Sequence, residues 1–266
     1  MSTHLTRLTG GRPEAPRLSA AHLAALAAGA LAGLLVWRIG LPDVRVWDTT
    51  LDALTVPTAL TVGAGVGVVV IAVTSHRGWR VVDMTVAAVL AAAGGLFLWG
   101  MNTAWTPLTT PIGKVYPPLP ALLNGVWILP GVLAGLVVRK PGAALFGETV
   151  AAAIEALTGG LWGFTSLYYG VVEGLGVELV LALLLYRRFG PAAAMAAGDG
   201  GGVALSLLDL TFYFTDYPAG QKLAYVLLSV LSCAVVAGLG GWVLTRALAA
   251  TGALGPLAAG RAADRV

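Results

Sequence analysis

Charge is scarce in this chain: 16 Lys and Arg and 13 Asp and Glu in 266 residues amount to 11%, against 58% hydrophobic. Soluble domains carry about 25% charged residues, so this composition, with a mean hydropathy of +0.84, points to an integral membrane protein. Cysteine is scarcer still, and Cys233 alone excludes an intramolecular disulfide framework. Histidine is limited to His4, His22 and His76, spread over a polar tail, an apolar run and a loop. Those three do not build a shared imidazole site for nickel, cobalt or zinc. No GxxxxGK[ST] loop occurs, so the chain does not hydrolyse ATP itself. HExxH and Ser-His-Asp arrangements are absent at membrane depth. The basic residues lie at loop ends rather than in a stripe, which argues against nucleic acid as a partner.

What is present is a series of apolar runs. Residues 1–17 are polar and read as a disordered cytoplasmic tail rather than a signal peptide. Runs at 18–37, 55–74, 82–101, 119–138, 143–157, 166–186, 191–213 and 223–248 predict eight helical spans. The loops between them sort by charge. Twelve Lys and Arg fall in one set, containing the N-terminal tail, Arg77 with Arg80, Arg139 with Lys140, Arg187 with Arg188, and Arg246, Arg261 and Arg265. The alternate set holds only Arg38, Arg45, Lys114 and Lys222. By the positive-inside rule both termini are then cytoplasmic. Trp105 and Tyr116, in the loop expected at 102–118, read as interfacial belt residues. No internal repeat is evident.

Residues 139–178 are the exception to this apolar monotony. They place Glu148, Glu155, Glu173 and Glu178, with Trp162, Tyr168 and Tyr169, in two apolar helices joined by a Gly-rich turn. An ionisable group at membrane depth costs about 2.5–3.5 kcal/mol on insertion scales, so each must face protein or a cavity. Glu148 and Glu155 are seven apart and Tyr169 and Glu173 four apart, so each pair shares a helix face. Asp199, Gly202, Ser206 and Asp209 form a polar stripe on the next span. The run Gly198-Asp199-Gly200-Gly201-Gly202 allows either tight helix packing or opening of the helix. Most of these groups, with Asn124, Trp127 and Tyr213, fall in the outer half of the spans.

Carboxylates neutralise cations and accept hydrogen bonds from amino groups, while Trp and Tyr faces stack on flat rings. The implied ligand is a small, flat, amine-bearing or cationic aromatic molecule captured from outside. Glu155, Glu173 and Asp209 are the candidate polar ligands, and Trp162, Tyr169 and Tyr213 the candidate stacking residues, with Asn124 and Trp127 beside them. Glu148, Glu178 and Asp199 are candidate structural or coupling carboxylates. Two other classes remain open at this point. One is a stand-alone secondary transporter using the buried acids as a proton relay. The other is an intramembrane enzyme, disfavoured because Glu148 and Glu155 are roughly 10 Å apart along a helix, too far to share a proton.

The strings Arg139-Lys140-Pro141-Gly142-Ala143-Ala144, Ala153-Ile154-Glu155 and Gly174-Leu175-Gly176-Val177-Glu178 resemble the S component of energy-coupling factor (ECF) vitamin transporters of the YkoE family. The resemblance covers about residues 80–260. It implies an all-α integral membrane protein of the prokaryotic plasma membrane, with a six-helix S-component core, no enzymatic activity and no cofactor. It also implies thiamine or its hydroxymethylpyrimidine precursor as substrate. The expected partners are a transmembrane T protein and two cytoplasmic ATPases, which drive the S component to topple and release the vitamin inward. Ala87 with Ala91 and Ala88 with Ala92 fit the AxxxA spacing by which such components dock, a spacing that generic packing also produces. The expected division is a tail at 1–17, two additional spans within 18–78, the core at 79–250 and a cytoplasmic tail at 251–266. The second additional span carries Gly63 and Gly67 at GxxxG spacing.

Overall fold

The structure, a computed structural model, describes residues 78–163 and 165–263, together with a two-residue antiparallel ladder of Arg45–Val46 against Thr49–Thr50. The spans expected at 18–37 and 55–74, the tail at 1–17 and the GxxxG pair lie outside the described residues. Six long helices make up the rest: α1 (Val81–Val115), α2 (Gly125–Val138), α3 (Ala143–Leu157), α4 (Thr165–Leu183), α5 (Pro191–Phe212) and α6 (Ala219–Ala250), followed by the short α7 (Ala258–Ala263). Four are long and apolar enough to cross a membrane: α1, α2 with its 3₁₀ lead-in at Leu119–Leu123, α4 and α6.

Local chemistry sets the helix ends. Asp83 in the first turn of α1 accepts the Arg80 backbone N–H at 2.9 Å and pairs with its guanidinium at 2.8 Å, closing the helix start. Pro118 and Pro120 open the 3₁₀ turn, and Pro191 opens α5, positions where a missing N–H costs nothing. Inside α6, residues Cys233–Leu239 adopt a π-helical turn.

The longest helix overturns one expectation. α1 does not end at residue 101 but runs through Pro107 and Pro111 to Val115, so most of the loop expected at 102–118 is helix. Each proline frees only the carbonyl one turn back, and membrane helices re-satisfy such groups locally. The Thr109 hydroxyl also bonds back to the Trp105 carbonyl within the helix at 2.8 Å. At about 1.5 Å per residue a helix of this length exceeds a ~30 Å hydrocarbon core, so one end must project from it.

α3 sits centrally, packed on α1, α2 and α4, while α5 lies between α4 and the π-turn of α6. The main core gathers Ile128, Val132, Leu136, Val177, Leu181, Leu205 and Cys233. Small residues let the backbones meet. A Cβ on Gly176 of α4 would collide with the carbonyl oxygen of Gly200 on α5 and sit 2.9 Å from Ala204 Cβ. The glycine run of α5 therefore serves tight packing, and the helix stays closed through it. Gly176→Ala is expected to destabilise the bundle by about 1–3 kcal/mol, read as a lower unfolding midpoint in detergent.

The C-terminal stretch is not a free tail through residue 261. Leu254, Leu257 and Ala259 are buried against Ala87, Val137, Val138 and Ala143. Ala87, in that cluster, and Ala91, one turn on, are both buried inside the chain's own fold, whereas Ala88 and Ala92 lie on the exposed face of α1.

Candidate functional site

One end of the bundle is hollow. A cavity of 350 Å³ is enclosed by α1, α3, α4, α5, the starts of α2 and α6, and the turn after α3. That volume is within the range of about 300–1,000 Å³ typical of small-molecule sites. All eight residues singled out as substrate ligands line it: Glu155, Glu173, Asp209, Trp162, Tyr169, Tyr213, Asn124 and Trp127. Of the three residues read as structural or coupling carboxylates, Glu148 also lines it, whereas Glu178 and Asp199 do not.

The aromatic wall is a triad. Trp105, Trp127 and Trp162 meet edge to face, with ring centroids 5.0 Å apart for Trp105 and Trp127, 5.2 Å for Trp127 and Trp162 and 6.3 Å for Trp105 and Trp162. Trp105 is thus a cavity residue rather than a belt anchor, a correction that follows directly from the extension of α1. Asn102, one turn earlier, fixes the arrangement. Its Oδ1 accepts the Leu161 N–H at 2.8 Å, holding the turn that carries Trp162, while its Nδ2 donates to Glu155 Oε1. Ser166 Oγ donates to the same Glu155 oxygen at 3.1 Å.

Opposite this wall is a hydroxyl network. Tyr169 donates to Asp209 Oδ1 at 3.0 Å and Tyr225 donates to Oδ2 at 2.5 Å. Asn124 Nδ2 donates in turn to the Tyr225 hydroxyl at 2.9 Å and to Ser229 Oγ at 3.1 Å. Tyr213 is 48% exposed, tilted against Tyr169 with ring centroids 6.3 Å apart. Sequence reasoning missed Tyr225 and Ser229, yet Tyr225, Ser229 and Ser232 fall at helical spacings on one face of α6 and carried that signal.

Two carboxylates have capacity to spare. Glu148 Oε2 accepts the Gly131 N–H at 2.6 Å, a close approach possible because residue 131 has no side chain, but its buried Oε1 has no hydrogen-bond partner. Glu173 is 4% exposed and makes no hydrogen bond to a described residue. No Lys or Arg lines the cavity, Lys114 and Lys222 included. The site is therefore acidic, aromatic and sized for a small organic cation or amine.

Glu178 has a different job. Oε1 accepts the Gly142 N–H at 2.7 Å and the Tyr186 hydroxyl at 2.7 Å, and Oε2 accepts the N–H groups of Ala144 at 2.9 Å and Leu145 at 3.2 Å. It caps the N-terminus of α3 from α4, at the end of the bundle remote from the cavity. Asp199 is half-buried on α5, with a buried Oδ1 that has no hydrogen-bond partner.

Over 189 residues the chain is 32% identical to the putative HMP/thiamine permease protein YkoE of Bacillus subtilis (strain 168), a match taking in 70% of this chain and 92% of the relative. The chain belongs to the YkoE family of ECF S components. A solved S component, described as the crystal structure of an S-component of ECF transporter, has the same fold with a TM-score of 0.65 and 28% identity. That similarity covers 71% of this chain and 94% of the solved one. Residues 82–204 also match the model of a family described as ABC-type cobalt transport system, permease component. An S component of this family is a multi-pass membrane transport protein and not an enzyme. The cobalt of that description has no counterpart in the donor set, since among the described residues no three His, Cys, Asp or Glu converge to hold a metal ion.

Proposed function

We propose that this S component captures thiamine or its hydroxymethylpyrimidine precursor from the outer face. The observation that carries the reading is the cavity itself: four carboxylates, three tryptophans and no basic group within 350 Å³. An aminopyrimidine offers an amine to a carboxylate and a flat face to indole, and the thiazolium of thiamine adds a positive charge that acidic, aromatic walls attract. The name of the Bacillus relative supports the same chemistry. In this reading a T protein and two ATPases supply the energy and topple the subunit to release the vitamin inward. Ala88 and Ala92, on the exposed face of α1, are then the small residues available for docking. In this reading residues 79–250 form the binding core, and the two further spans expected within 18–78 lie outside the described residues.

Equilibrium binding followed by tryptophan fluorescence tests the assignment, since three indoles would sense an occupant directly. Thiamine or hydroxymethylpyrimidine is expected to change the emission saturably. Trp162→Ala is expected to weaken binding about tenfold, the equivalent of one aromatic stacking contact of ~1–2 kcal/mol. Glu155→Gln is expected to weaken it as well. A folded sample that binds neither compound would refute the substrate assignment.

A further inference from the structure

A second pocket, of 470 Å³, lies at the other end of the bundle, where Arg139 ends α2 while Asn124 at its start lines the cavity. Its walls come from four chain segments far apart in sequence: Arg80, Arg139 with Lys140, Tyr186 with Arg187 and Phe189, and Arg261. Five cations therefore face one space with a single carboxylate, Asp83, already committed to Arg80 at 2.8 Å.

Three of the other four cations are held by neutral groups. Arg139 Nε donates to the Leu136 carbonyl at 3.0 Å and its guanidinium lies 4.8 Å from the centre of the Phe189 ring. Lys140 Nζ donates to the Gly78 carbonyl at 2.9 Å and Arg261 Nη1 to the Pro256 carbonyl at 2.6 Å. The Arg187 guanidinium makes no hydrogen bond or ion pair to a described residue, its backbone N–H alone bonding the Leu184 carbonyl at 3.2 Å. Glu178, behind the pocket wall, spends its oxygens on the four donors already described. Burial draws the Arg139 pKa below its ordinary value, with no acid at its side to restore it.

The backbone is strained here as well. Among the described residues the non-glycine positions with positive φ are Arg139 (56°), Leu185 (57°) and Tyr186 (50°). Two line the pocket and the third adjoins it. Such conformations cost of order 1 kcal/mol or more each and persist where the surroundings enforce them, often at ligand sites.

The surroundings indicate what sort of anion fits. Trp79 bonds the Pro141 carbonyl through its indole N–H at 2.9 Å and packs edge-on to Phe146, which is 38% exposed. An amphipathic ring so placed is typical of the membrane–water boundary. Val81 and Met84, at the start of α1 beside Arg80, are 74% and 49% exposed. A phosphodiester in the pocket would have apolar surface beside it on which to lay acyl chains.

We propose that this pocket binds a phosphoryl anion, supplied by the headgroup of an anionic phospholipid, with Arg139, Lys140, Arg187 and Arg261 as its ligands. Guanidinium forks match phosphate oxygens in pairs, and a lysine adds a point charge. The site anchors the chain to the anionic leaflet at the end opposite the cavity.

The test is a titration of the purified full-length chain in neutral detergent with phosphatidylglycerol or phosphatidylcholine, counting retained lipid by native mass spectrometry. Phosphatidylglycerol is expected to be retained in preference. Arg187 and Arg261 are exposed, so the Arg187→Gln, Arg261→Gln double variant should remain folded, which thermal unfolding would verify. It is expected to bind phosphatidylglycerol roughly 30-fold more weakly, from the loss of about two surface cations. Equal retention of the two lipids, or an unchanged affinity in the folded double variant, would overturn the proposal. Inorganic pyrophosphate separates the sources. If it displaces phosphatidylglycerol at equal or lower concentration, the site belongs to a soluble phosphate and the lipid assignment fails. If phosphatidylglycerol stays bound in its presence, the lipid assignment holds.

Discussion

Glu178→Ala is expected to lower the stability of the purified protein by roughly 4 kcal/mol, the largest loss foreseen for a single substitution away from the cavity. Its carboxylate satisfies the N–H groups of Gly142, Ala144 and Leu145 and the hydroxyl of Tyr186, all at the junction of α3 and α4. The first N–H groups of a helix have no partner within it, and a carboxylate there also complements the helix dipole. Each buried donor left without an acceptor costs about 1–3 kcal/mol, so alanine exposes the whole sum except what water can enter to recover. The graded variants carry the argument. Glu178→Gln keeps one carbonyl oxygen and should lose about half as much, and Tyr186→Phe, which removes one hydroxyl, about 1 kcal/mol. Thermal unfolding in detergent should rank them in that order. Ligand affinity per folded molecule should hold, because Glu178 is outside the cavity. Equal midpoints for Glu178→Ala and wild type would remove the capping role.

The contrast between Glu178 and the other acids shows where the sequence was legible. Charge at membrane depth singled out all of them, and helical spacing put Glu148 with Glu155 and Tyr169 with Glu173 on shared faces that do line one cavity. What spacing could not reveal was the partner on another helix. Glu178 finds three N–H groups at residues 142–145 and Glu148 finds Gly131, contacts fixed by the meeting of backbones at glycines. The span expected at 143–157 coincides with α3 because a basic, proline-containing turn precedes it and a Gly-rich turn follows.

Prolines misled the reading of α1. Pro107 and Pro111 among threonines look like a loop, and treating them so sent Trp105 to the membrane interface instead of the cavity. A proline removes one hydrogen bond from the helix and leaves the rest of the ladder intact, so α1 continues where the packing of Trp105 on Trp127 and Trp162 holds it. The basic pocket was missed for a different reason. Arg80, Arg139, Arg187 and Arg261 are each legible as topology-setting charges, but that four separate chain segments bring them to one space is a property of the packing alone.

Glu173→Gln is expected to move two observables in opposite directions. The wild-type carboxylate is 4% exposed, has no hydrogen-bond donor among the described residues, and lies near Glu148, whose Oε1 is also without a partner. An unpaired charge in such a place is costly, and like charges nearby raise the cost. The amide removes that repulsion, so the ligand-free protein should unfold at a higher temperature than wild type. A cationic ligand offers the charge that Glu173 lacks. Removing the carboxylate should then weaken binding of thiamine by roughly 10- to 100-fold, the worth of about 1.5–3 kcal/mol for a hydrogen bond to a charged group. Hydroxymethylpyrimidine, neutral near pH 7, should lose less, which separates attraction between charges from simple fit. Measured together, a raised midpoint with a weakened thiamine affinity identifies a carboxylate kept for its ligand at the expense of the empty protein. A lowered midpoint with unchanged binding would instead make Glu173 an interhelical strut, and would shift the charge-bearing role to Glu148 or Asp209.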